Sequence, residues 1–155
     1  MRFWLRIVSV KITKIVIKIG KGEKMKKSIL LVSHSQAITD GLKEMIEQMQ
    51  QTEDVQIFSL GGTSEGELGS DPLKIIAAVE AREADVYLVF ADLGSAVLSA
   101  ELAYDMLPEE TQARYRLVEG PLVEGAFAAA ITAGVSDNLE QILSEARQAG
   151  VKGWN

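Results

Sequence analysis

Short apolar runs separated by amphipathic stretches govern what this chain can fold into. Ser28-Ile-Leu-Leu-Val-Ser33 is apolar throughout, with lysines before it and Ser33-His34-Ser35 closing it, as in a strand buried on both faces. From Gln36 to Gln50, Ile38, Leu42, Met45, Ile46 and Met49 recur at helical spacing, with Asp40, Lys43, Glu44 and Glu47 between them. A second strand is expected over Val55–Leu60, running into Gly61–Gly69, where four glycines in nine positions permit backbone conformations closed to other residues. Pro72 suits the first turn of a helix reaching about Glu83, capped by Ser70 or Asp71, and Asp85–Ala91 reads as a third strand. A helix from Gly94 to about Leu107 closes at Pro108. Tyr115–Glu119 is a weaker fourth strand, and two helices follow, marked by Leu122, Val123, Ala126, Phe127, Ala130 and Ile131 and then by Leu139, Ile142, Leu143 and Ala146. The pattern βαβαβαβαα predicts an α/β fold: a parallel sheet of order 2-1-3-4 with helices on both faces.

At 155 residues the chain fits one compact domain. It has no cysteine and a single histidine, which excludes disulfides and thiolate sites and leaves no metal site to propose. Before Met25 stand seven Lys and Arg against Glu23, a balance of +6, so with −6 for the whole chain the remainder carries −12. A domain so acidic is a poor partner for nucleic acid. The basic, apolar residues 1–24 are interrupted at Lys11, Lys14 and Lys18, too often for a membrane span, and Val8–Ile19 alternates like a strand or hairpin. They read either as an interaction arm or, the preferred reading, as sequence upstream of a true start at Met25, with the domain occupying 25–155.

In an open parallel sheet a ligand sits past the carboxyl ends of the strands, where strand order reverses. For the order 2-1-3-4 that crevice separates strands one and three. The residues just beyond them are Ser33-His34-Ser35 and Asp92-Leu93-Gly94-Ser95, so topology brings a histidine and an aspartate to one place. A carboxylate on one imidazole nitrogen fixes the tautomer and frees the other nitrogen as nucleophile or base. Gly94 and Ser95 open a helix whose N-terminus favours an anion. Ser33, Ser35 and Ser95 offer hydroxyls, and Gly61 and Gly62 begin a loop on the same edge, although it lacks the Gly-Lys-Ser/Thr of a P-loop. On spacing alone, His34 as a polar strand end and Asp92 as a helix cap remain an equal alternative.

Four segments in order, Leu30-Leu-Val-Ser-His-Ser35, Gly61-Gly-Thr with Gly66 and Gly69, Ala91-Asp-Leu-Gly-Ser-Ala96 with Ala100-Glu101, and Gly120-Pro-Leu-Val-Glu-Gly-Ala126, resemble the phosphotransferase subunit of phosphoenolpyruvate-dependent dihydroxyacetone kinase, of the mannose-type EIIA domain family. The resemblance runs from about Lys27 to Ala149. It implies that His34 accepts phosphate from the phosphocarrier protein HPr, that Asp92 orients it, and that phosphate passes to ADP bound on the kinase's nucleotide-binding subunit. The subunit itself would then bind no cofactor and work in the cytoplasm as a homodimer, with Val97, Leu98 and Leu102 the expected contact. Ser35, Gly94, Ser95, Gly61 and Gly62 are the candidate phosphate-binding residues. Two positions depart from the family pattern: Gly69-Ser70-Asp71 stands where Gly-Thr-Ser is expected, and Ser99 where an asparagine is. The alternatives are a sugar-specific EIIA component and a non-enzymatic binding module. A response-regulator receiver would need acidic residues after strand one, and a histidine phosphatase a second histidine and phosphate-clamping arginines.

Overall fold

The computed structural model describes residues 24–151. The strand expected over Val8–Ile19 lies outside them. Four parallel strands, β1 (Lys27–Val32), β2 (Val55–Ser59), β3 (Val86–Ala91) and β4 (Tyr115–Leu117), form one sheet in the order β2-β1-β3-β4, as the alternating pattern requires. The helices are α1 (Gln36–Met49), α2 (Pro72–Ala81), α3 (Gly94–Met106), α4 (Glu109–Gln112), α5 (Leu122–Val135) and α6 (Leu139–Gln148).

Strand residues alternate between two cores. Ile29, Leu31, Val55, Ile57, Leu88 and Phe90 meet α1, α5 and α6 on one face, where four alanines of α5 (Ala126, Ala129, Ala130, Ala133) allow close approach to the sheet. Leu30, Val32, Tyr87, Val89 and Tyr115 meet α2 and α3 on the other. With helices on both faces, β1 is buried along its whole length, which is why it reads as an unbroken apolar run.

The structure moves several boundaries. The helix expected to reach Glu83 stops at Ala81, because the Tyr87 hydroxyl donates to the Arg82 carbonyl (2.9 Å) and accepts from the Ala84 N–H (3.0 Å), drawing these residues out of the helix. Asp71 is the cap, accepting from the Leu73 N–H at 2.9 Å. An unanticipated single turn, α4, follows Pro108, whose carbonyl accepts from the Thr111 and Gln112 amides. The fourth strand is only three residues long, although the Val118 N–H extends the ladder to the Val89 carbonyl.

Lys27 belongs to β1 rather than preceding it, and its side chain is 1% exposed. Its ammonium donates to the carbonyls of Ala133 (2.8 Å) and Ser136 (3.0 Å), at the carboxyl end of α5, and to the Asp137 carboxylate. A cation there answers the negative end of the helix as well as the carboxylate. Burial by itself raises the Asp137 carboxyl, but the hydrogen bond from Lys27, the Met25 N–H and the Lys27 charge together hold it below its ordinary value. A carboxyl whose folded value is depressed stabilises the protein above its unfolded value, about 3.9, and loses that contribution as pH falls through the folded one. Asp137→Ala is therefore expected to cost about 1–3 kcal/mol at pH 7 in urea unfolding. The difference from wild type should shrink progressively below about pH 4.

Candidate functional site

The register of β1 on β3, with Val32 opposite Ala91, sets the next residues of both strands side by side, and the Asp92 N–H donates to the Val32 carbonyl at 3.2 Å. The chain leaves β1 for β2 on one side and reaches β3 on the other, so this is the point where strand order reverses. His34 and Asp92 meet there, as the topology predicts.

Asp92 accepts four hydrogen bonds. Oδ2 takes the Ser33 hydroxyl (2.7 Å) and the His34 backbone N–H (3.2 Å); Oδ1 takes the Leu93 N–H (2.6 Å) and faces His34 Nδ1 at 3.2 Å. Partial burial pushes the Asp92 carboxyl up, yet the bonds from Ser33, Leu93 and His34 outweigh it and leave the group below the ordinary carboxylate range. An ionised carboxylate only accepts, so in the neutral imidazole Nδ1 carries the proton and Nε2 the lone pair. Nε2 faces the Ser95 hydroxyl, which then donates to it. The side chain is 30% exposed, and the contact at Nε2 is exposed whereas that at Nδ1 is part-buried.

The loop after β2 folds back over this segment. Gly69, at φ 136°, donates its N–H to the His34 carbonyl at 2.8 Å. The Ser70 hydroxyl reaches the Ser95 carbonyl (3.2 Å) and the Ser99 hydroxyl (2.7 Å), which ties the loop to α3. His34 is thus held from β3, from α3 and from the glycine loop.

Among the other candidates, Ser95 stands at Nε2, and Gly94 opens α3, where a helix leaves its first amides without intrahelical partners. Ser35 flanks the histidine as the residue before α1 and donates its N–H to Ser33 Oγ at 3.1 Å. Gly61 and Gly62 are not brought to the imidazole as donors. The Gly61 amide serves Thr39 Oγ1 (2.9 Å) and the Gly62 amide the Ser33 carbonyl (3.0 Å). A Cβ on Gly61 would lie 2.2 Å from the Ser35 carbonyl oxygen, so that glycine is needed for backbone contact with the turn before α1. Two residues named from the sequence act otherwise than it suggests: Ser33, whose fully buried hydroxyl serves Asp92 rather than the open edge, and Gly69, whose amide bonds the His34 carbonyl. Only a strand register places a hydroxyl beside a carboxylate 59 residues away. Among the described residues no cluster of three His, Cys, Asp or Glu could hold a metal, and no helix is long and apolar enough to cross a membrane.

A parallel β2-β1-β3-β4 domain with one carboxylate-oriented histidine at its switch point has the build of a IIA-type phosphotransferase domain. The family model described as "PTS system fructose IIA component" (EIIA-man) matches residues 28–143. A phosphoryl donor subunit of PEP-dependent dihydroxyacetone kinase 2 from Listeria innocua is 44% identical over 119 residues, covering 76% of this chain and 94% of its own. The phosphotransferase subunit of the PTS-dependent dihydroxyacetone kinase of Lactococcus lactis is 34% identical over 124 residues, covering 76% of this chain and 96% of its own. The phosphoryl donor subunit from Escherichia coli is 34% identical over 125 residues, and the match spans 79% of this chain but only 26% of that protein. The crystal structure of EF1359, a protein of unknown function, superposes with a TM-score of 0.80 at 67% identity, covering 84% of this chain and all of that one. The chain belongs to the mannose-type EIIA family and, within it, to the phosphoryl donor subunits of PEP-dependent dihydroxyacetone kinases.

If the Asp92 carboxylate fixes the tautomer, Asp92→Asn presents Nδ1 with an amide able to donate as well as accept, and the tautomers mix. That variant should keep its thermal unfolding midpoint within a few degrees and phosphorylate about 100-fold more slowly. ¹⁵N spectra of the imidazole should show the Nδ1–H form in wild type and lose its predominance in the variant.

Proposed function

We propose that His34 is the phosphorylated residue of a phosphoryl carrier that takes phosphate from the phosphocarrier protein HPr and passes it to ADP held by the nucleotide-binding subunit of dihydroxyacetone kinase. The observation that carries this reading is the setting of the ring: Asp92 faces Nδ1 at 3.2 Å, which leaves the Nε2 of a neutral imidazole free to offer its lone pair beside Ser95. In the first transfer the Nε2 pair attacks phosphorus in line, the Nε2–P bond forms, and the donor's P–N bond breaks with its electron pair returning to the donor imidazole. In the second, a β-phosphate oxygen of ADP attacks, the Nε2–P bond breaks, and the pair returns to Nε2. The proton on Nδ1 stays throughout on the nitrogen facing Asp92, whose charge steadies the positive ring of the phosphohistidine.

The Ser95 hydroxyl bonds Nε2 before transfer and turns to a phosphoryl oxygen after it, joined by the first amides of α3 at Gly94 and Ser95 and by the Ser35 hydroxyl. Gly61 and Gly62 act at one remove, by holding the turn before α1 in place. No cofactor is assigned to this subunit, because ADP and ATP stay on the partner. Phosphoenolpyruvate and ADP being metabolites of the cytoplasm, that is where the cycle runs. Self-association through α3 fits the same reading: Leu98 and Leu102 are exposed there one turn apart, while Val97 is half-buried.

Incubation with phosphoenolpyruvate, enzyme I and HPr, followed by intact-mass analysis, should add one acid-labile phosphate to wild type and none to His34→Ala. Release of that phosphate as ATP on adding the nucleotide-binding subunit loaded with ADP would establish the acceptor. Stable phosphohistidine that passes only to a sugar-specific permease component would favour the sugar-transport reading, and a folded wild type that takes no phosphate would leave a binding module.

A further inference from the structure

Asp92 holds the histidine turn from its amide side, and the glycine loop holds it from its carbonyl side. Three carbonyls in a row are engaged there. That of Ser33 accepts from the Gly62 N–H (3.0 Å) and that of His34 from the Gly69 N–H (2.8 Å). The Ser35 carbonyl is met by Gly61 itself, packed so closely that a Cβ would stand 2.2 Å from the oxygen. The loop can fix the imidazole only if its own start, at Gly61, is fixed.

Two side chains outside the site do this. Thr39 is fully buried on the stripe of α1 that it shares with Leu42 and Ile46, where an aliphatic side chain would bury more apolar surface and a hydroxyl must find partners. Its hydroxyl gives its one hydrogen to the Gln36 carbonyl (3.2 Å) and accepts at both lone pairs, from the Ser59 hydroxyl (2.7 Å) and the Gly61 N–H (2.9 Å). Lys74, half-buried in the first turn of α2, is the only Lys or Arg between residues 61 and 74. Beside a site that handles phosphate an ammonium is expected to stay free for the anion, but this one donates to the Gly61 carbonyl at 2.7 Å. The amide and the carbonyl of one glycine are thus gripped from two helices, and Lys74 closes the loop across a separation of 13 residues.

We infer that Thr39 and Lys74 are positioning residues for phosphoryl transfer, gripping Gly61 so that the glycine loop keeps the carbonyls of residues 33–35, and with them Nε2 of His34, in the geometry of in-line attack. The inference rests on the phosphocarrier reading. Neither side chain bonds His34 or Asp92, so both act through the backbone. A displacement of about 1 Å at a reacting atom can cost about 100-fold in rate, so a loosened loop is expected to show in the transfer step and not in affinity for the donor.

The test measures phosphorylation of wild type, Thr39→Val and Lys74→Met by two donors: phosphorylated HPr over a range of concentrations, and potassium phosphoramidate, which has no protein surface. Thr39→Val keeps the shape of the side chain and loses the hydroxyl; Lys74→Met keeps an unbranched stem and loses the ammonium. Each should lower the limiting rate about tenfold with both donors and leave the half-saturating HPr concentration unchanged. Thr39→Ser and Lys74→Arg, which keep the hydroxyl and the charge, should restore most of the rate. Asp137→Ala, destabilised at the foot of the sheet, should react like wild type and so separates lost position from lost stability. Lys74→Met, altered at a half-buried side chain, carries the test alone if Thr39→Val does not fold. A limiting rate within about twofold of wild type in a folded variant overturns the role of that residue. A raised half-saturating HPr concentration at an unchanged limiting rate overturns it too, by making the residue a contact of the donor. Equal slowing in Asp137→Ala assigns the effect to stability and overturns the inference. A wild type that takes phosphate from neither source overturns the phosphocarrier reading itself.

Discussion

The site depends on how completely Asp92 is committed. Each carboxylate oxygen takes two of four donors, the Ser33 hydroxyl, two backbone amides and the imidazole, and all four come from the turns that end β1 and β3. A carboxylate bonded in this way has no alternative rotamer that keeps its partners, so the imidazole meets a fixed acceptor. Charge-assisted bonds of this kind are about twice as strong as neutral ones. The orientation of one ring is in this sense a property of the sheet register, because Val32 opposite Ala91 is what brings the two turns together.

The architecture was legible because parallel strands buried on both faces write themselves as unbroken apolar runs, and the helices between them carry period-3.6 patterns. The meeting of His34 with Asp92 followed from topology alone. What stayed hidden was whatever a side chain decides at a distance. Tyr87 ends α2 by taking the backbone partners of Arg82 and Ala84, an effect no local propensity predicts. Lys27 reads as a charged boundary and is in fact a buried ion, since only the fold brings the end of α5 and Asp137 to it. In sequence Gly61 and Gly62 read as candidate phosphate-binding residues, but their amides bond Thr39 and Ser33, and it is Gly69 that reaches the histidine.

Two small hydroxyls decide how the glycine loop is fastened. Ser70 and Ser99 are each unremarkable in sequence, yet their hydroxyls lie 2.7 Å apart and join the loop to α3. Paired small hydroxyls keep a polar link between the loop and the helix whose first turn faces Nε2. The loop is therefore part of the frame that holds His34, although it contributes no side chain to the imidazole.

The last helix has a consequence for the chain's two ends. After α5 carries the backbone down to Asp137 beside Lys27, α6 brings it back, and near its end Ala146 and Gly150 pack against Gly120 and Pro121, just beyond β4. The described chain thus begins at the foot of the sheet and finishes on the level of His34. Lys24 and Val151 therefore stand at opposite ends of the sheet, the first a full strand length from His34 and the second at its level.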